Sequence, residues 1–181
     1  FKHLAHLFEE NSMKYGQKAI LGGLLLLLGA CASFMPPPIA IGEPEASVVS
    51  KLGRPTSRIE DRNGYLLEYT RNPWGQATDM ARFDRNGNLV SYEQVLTVEK
   101  FATIKPGIAT KDDVLRTIGH PSETSYLSRL QLEVWSYPYK EAGVWNSVMH
   151  VHFDNNGVVK MMQNAQDMRF ERDGMFGFGR M

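Results

Sequence analysis

This 181-residue chain holds a single cysteine, Cys31, so no disulfide can form within it. It has no excess of either charge: 20 Lys+Arg stand against 20 Asp+Glu. No long run of one sign occurs either. Nucleic-acid binding needs a basic footprint, so no nucleic-acid partner is expected. The longest apolar stretch, Ala19 to Ala32, is shorter than the roughly 20 residues of a spanning helix and is broken by Gly22-Gly23. There is no Gly-x-Ser-x-Gly elbow and no phosphate-cradling loop. These absences argue against an enzyme and against a bound cofactor, and they turn attention to where the lone thiol sits.

Cys31 closes Leu28-Gly29-Ala30-Cys31, directly after the leucine-rich run. The segment resembles a bacterial lipobox, in which the thiol is diacylated and the bond before the cysteine is cut. Lys14 and Lys18 supply the positive flank of a signal peptide over residues 13–30. Residues 1–12 carry Glu9 and Glu10, which do not suit that flank. Translation is therefore expected to begin at Met13, with 1–12 a misassigned start. From Cys31 onward the chain has 151 residues, with 17 basic and 18 acidic side chains. That is enough for one domain or two small ones. Two acyl chains hold stably where one binds only marginally, so Cys31 is expected to anchor the protein in membrane lipid, with palmitate among its acyl groups. Ala32 follows, not the aspartate that retains such proteins in the inner membrane, so the outer membrane is expected. Residues 31–43 include Pro36, Pro37 and Pro38 and read as a tether, because proline supports neither helix nor central strand.

Beyond the tether the chain repeats. Leu52-Gly53-Arg54-Pro55-Thr56 matches Ile118-Gly119-His120-Pro121-Ser122 at a separation of 66. That separation sets Leu66 on Leu132, Tyr69 on Trp135 and Thr70 on Ser136. Arg82-Phe83-Asp84-Arg85-Asn86-Gly87 matches His152-Phe153-Asp154-Asn155-Asn156-Gly157 at 70. Four extra residues are therefore expected in the second copy, within 140–146.

Each copy opens with a helix. Thr110 is placed to cap, Asp112 and Asp113 suit the positive helix end, and Val114, Leu115 and Ile118 recur at helical spacing. Gly119 and Pro121 end it, as Gly53 and Pro55 end the helix of the first copy. Strands follow over 65–69, 80–83 and 88–92, and over 130–137, 148–153 and 158–163, with Asn-Gly turns joining the last two of each set. The predicted class is α+β: two tandem units, each a helix plus a three-stranded antiparallel sheet, over 44–98 and 99–165. Residues 166–181 form a tail, disordered by default. Leu96 to Thr103 is too short and too apolar for a flexible linker, so the units should form one body.

Pro106-Gly107, Ile118-Gly119-His120-Pro121, Val134-Trp135-Ser136-Tyr137 and Phe153-Asp154-Asn155-Asn156-Gly157-Val158 resemble the SmpA/OmlA family, the BamE-like outer-membrane lipoproteins. The resemblance is good over 101–165 and weaker over 44–95. It implies a lipid-anchored protein on the periplasmic face of the outer membrane. It also implies an accessory or scaffold role in β-barrel assembly or envelope integrity, with assembly components as protein partners. Tandem units of this kind also resemble the β-lactamase inhibitor protein fold, which implies as an alternative an inhibitor or ligand-binding module. Neither resemblance transfers contact residues.

Among residues that could carry chemistry, His150 and His152 share a strand face but lack a third ligand, so no metal is expected. Asp154-Asn155-Asn156-Gly157 lacks the closing glutamate of a calcium loop and reads as a turn. Asp112 and Asp113 are adjacent on a helix, point different ways and read as first-turn charge. The candidate protein-binding residues are Trp74, Trp145 and Tyr139, because aromatics are enriched at interface centres. Trp135 and Tyr69, paired by the repeat, read as core.

Overall fold

Gly53 and Gly119 each end a helix, and Asp84 and Asp154 each organise a hairpin turn. The computed structural model describes residues 38–71 and 75–170. The expected signal peptide over 13–30, Cys31, Trp74 and residues 171–181 of the expected tail lie outside the described residues. The elements are α1 (Glu45–Leu52), β1 (Ser57–Asp61), β2 (Gly64–Thr70), β3 (Thr78–Asp84), β4 (Leu89–Gln94), α2 (Val98–Thr103), α3 (Lys111–Ile118), β5 (Glu123–Leu127), β6 (Leu132–Glu141), β7 (Trp145–Phe153) and β8 (Val159–Gln166). The strands form two antiparallel four-stranded sheets, β1-β2-β3-β4 and β5-β6-β7-β8.

Each unit therefore has four strands, not three. The strands missed were β1 and β5, which follow the helix-ending prolines. Both are edge strands without apolar alternation, and β5 is exposed along its whole length. Their backbone ladders to β2 and β6 hold them, and hydrophobic patterning carries no trace of a ladder. The short helix α2 was also missed. Thr97 caps it by accepting the Lys100 N–H, and Phe101 on it is buried.

The α3 helix forms as expected. Thr110 Oγ1 accepts the Asp113 N–H, and Asp113 Oδ2 accepts the Thr110 N–H at 2.9 Å, a reciprocal capping box. Those hydrogen bonds, that from the Thr110 backbone foremost, lower the Asp113 pKa. In the hairpins Asp84 Oδ1 accepts the Asn86 and Asn88 N–H groups, and Asp154 Oδ1 those of Asn156 and Val158. Only Gly87 and Gly157 in these turns have positive φ, at 80° and 74°. The turns are thus of the longer kind with one left-handed glycine, not two-residue turns with both centres left-handed.

Strand pairing also revises the repeat. Ser57 faces Glu68 where Glu123 faces Ser136, and Tyr65 faces Phe83 where Glu133 faces Phe153. The four extra residues are consequently split. Two enter the β5–β6 turn, which spans 128–131 against 62–63, and two enter the β6–β7 hairpin. The counterpart of Trp135 is Leu67 and that of Tyr69 is Tyr137. A count along the sequence cannot divide an insertion between two turns, whereas hydrogen-bond register does so directly.

The layers follow from which face each helix covers. Val48 of α1 packs on Tyr65, Leu67, Ala81, Phe83 and Leu89, one face of the first sheet. The opposite face offers Leu66 and Met80 to a second core. That core also holds Val95, Leu96, Phe101, Val114, Ile118, Trp135, Tyr137, Val151 and Phe153. Helices α2 and α3 thus lie between the two sheets. The apolar connection is buried as expected at Val95, Leu96 and Phe101, while Val98 is exposed.

Candidate functional site

Of the three candidate aromatics, the structure places two. Tyr139 is 1% exposed, with its ring edge-on to Phe101 at 4.9 Å between centroids. It is core, because α2, invisible to hydrophobic patterning, covers it. Trp145 is 69% exposed at the tip of the β6–β7 hairpin, beside Val144. Trp135 is buried against Phe153, in line with its core reading.

The tip is built by register. Glu141 faces Trp145, Ser147 faces both Tyr139 and Gln166, and Met149 faces Asn164. Strand alternation therefore sets Glu141, Trp145, Ser147, Asn164 and Gln166 on one face. The turn requires positive φ at Ala142 (49°) and Gly143 (73°). Glu141 Oε2 accepts hydrogen bonds from Ser147 Oγ at 2.8 Å and Asn164 Nδ2 at 2.9 Å. These two bonds, that from Ser147 first, lower its pKa and hold it ionised. Among the described residues no ion pair involves Glu141. With Val144 and Asn146, these side chains line an open cavity of about 540 Å³.

A second site joins the two units and was not anticipated. Glu68 of β2 is fully buried, yet its carboxylate accepts the His120 N–H at 3.0 Å and lies 2.6 Å from His120 Nδ1. Thr56, Ser57, Thr70, Pro121 and Ser122 complete a cavity of about 500 Å³ around the pair. The available signal was Glu68 itself, a charge within Tyr65-Leu66-Leu67-Glu68-Tyr69. A carboxylate in such a strand must find a partner on folding.

The two strand histidines sit in different surroundings. His150 Nδ1 lies 2.9 Å from Ser136 Oγ, and both ring nitrogens of His152 are buried without a partner. No group of three or more ligand side chains comes together among the described residues. None of the described helices is long and apolar enough to cross a membrane.

Residues 93–163, from the end of β4 into β8, match the family model of the outer membrane protein assembly factor BamE domain. That stretch of the second repeat is similar to this domain. The matched stretch contains the Glu141–Trp145 hairpin and the α3 helix with its glycine cap. No curated protein matches the chain. A solved structure of a DUF4309 family protein (YjgB) from Bacillus subtilis is 12% identical, over 69% of this chain and 79% of that one. Its TM-score is 0.30.

Proposed function

We propose that this chain is a lipid-anchored accessory protein of outer-membrane assembly that acts through protein contacts. The observation that supports this most is the BamE match over 93–163, because that domain is named for assembly of outer membrane proteins. The proposed anchor is Cys31, diacylated after cleavage at Ala30, with residues 31–43 as tether and the folded units on the periplasmic face. The proposed contact surface is the exposed Trp145 hairpin. The test is capture with the intact lipoprotein from solubilised envelopes. Recovery of β-barrel assembly components is the expected result. Recovery of a soluble hydrolase in their place would favour an inhibitor on the same tandem scaffold. Cys31→Ser should leave uncleaved or soluble protein, and unchanged fractionation with the outer membrane would remove the anchor from this reading.

A further inference from the structure

We infer that the β6–β7 hairpin tip is a receptor for an arginine side chain of the protein partner. This rests on the reading that the chain works through protein contacts, and it names the partner's chemistry. Two features of the tip point to a cation. Trp145 presents an indole that is 69% exposed, the ring best suited to attract a cation over its face. Glu141 stands directly opposite in the register, and its Oε2 is fixed by Ser147 and Asn164. Ser147 and Asn164 both donate to that one oxygen, the Tyr139 hydroxyl also steadies the ionised carboxylate, and no cation neutralises it among the described residues. An ionised carboxylate beside an exposed indole is costly to cover with an apolar surface, because the charge would be desolvated unpaired. A guanidinium satisfies both groups at once: it stacks flat on the ring while an N–H meets the carboxylate.

The charges nearby do not compete for this role. Lys140 lies on the opposite strand face by alternation, and its Nζ donates to Asn146 Oδ1 at 2.6 Å. Asp167 is paired with Arg169 at 2.6 Å. A lipid surface is a poorer occupant, because anionic headgroups would be repelled by Glu141. The tip is also affordable to mutate: Trp145 is mostly exposed, and Gln at 141 can still accept from Ser147 and Asn164.

The test uses the full lipoprotein in detergent micelles and a capped tetra-arginine peptide as probe. The peptide carries a fluorescent label, and its binding is read by anisotropy. Trp145→Ala and Glu141→Gln should each weaken it by about ten-fold or more, the size of losing a hot-spot contact. A tetra-citrulline peptide, similar in shape but uncharged, should not bind. Equal binding of the citrulline peptide, or undiminished arginine binding by both variants, overturns the inference. So does indole insertion into anionic vesicles that Glu141→Gln strengthens. The two variants are then carried into the capture experiment. If wild type recovers no assembly components, the functional reading fails. If wild type and both variants recover them equally, the arginine site alone fails.

Discussion

At the scale of single residues, two glycines related by the repeat do different work. Gly53 and Gly119 both end helices at positive φ, 84° and 82°. A Cβ on Gly53 would meet nothing within 4 Å, whereas one on Gly119 would lie 2.6 Å from Glu68 Oε1. The carboxylate cannot retreat freely, because it is buried and tied to His120. Gly53→Ala should therefore cost only the backbone penalty of a positive-φ, extended-ψ conformation that is essentially confined to glycine, on the order of 1–3 kcal/mol. Gly119→Ala should cost at least about 1 kcal/mol more than that, adding the disturbance of the buried Glu68 carboxylate. Urea unfolding of the two variants checks this, and equal losses would show that the Glu68 contact is slack. Tyr137, whose hydroxyl donates to the Gly119 carbonyl at 3.0 Å, packs the same turn from the other side. Its burial raises its own pKa well above the usual range.

At the scale of the element, strand β7 carries His150 and His152 on one face. Alternation separates them by two residues, roughly 7 Å along the strand. Burial lowers the His152 pKa below 6.5, and the charge of His150 adds to the effect. The unfolded chain thus takes up a proton on His152 where the folded chain resists it. Stability from this group is complete above pH 6.5 and falls as the pH drops through the folded value. His152→Leu should flatten the dependence of the unfolding midpoint between about pH 7 and pH 5.5, the imidazole range. An unchanged slope in the variant would remove His152 as its source. Elements also differ in how legible they are. Helix α3 announces itself through Thr110, Asp113 and Gly119, because capping is local chemistry. The edge strands β1 and β5 do not, because what holds each is one backbone ladder to a neighbour.

At the scale of the whole molecule, the two repeats share a core in which α2 and α3 face both sheets. Phe101 is central to it: 3% exposed, in the cluster that also holds Leu66 from the first sheet and Tyr139 and Phe153 from the second. Phe101→Asp would bury an unpaired charge and should destabilise the protein by more than about 2 kcal/mol. The loss should appear in a single unfolding transition read by probes in both units. Two wild-type transitions, only one of them moved by the substitution, would show separate domains. Arg116 of α3 reinforces the junction by donating from Nε to the Glu60 carbonyl on β1 at 3.3 Å.

Features that depend on neighbours along the chain are legible in the residues alone. The α+β class, the tandem repeat, the Thr110-capped helix, the Asp-led hairpins and the likeness of the second repeat to BamE all rest on sequence motifs. Features that depend on distant segments meeting emerge with the folded chain. Register between strands divided the insertion between two turns and paired Trp135 with Leu67 rather than Tyr69. Coverage by α2 and α3 made Tyr139 core and left Trp145 outside. The approach of β2 to the turn after α3 joined Glu68 to His120, 52 residues away. The physical reason is that burial and ion pairing belong to pairs of segments. A side chain's apolarity is written at its own position, but the surface that covers it is written elsewhere in the chain.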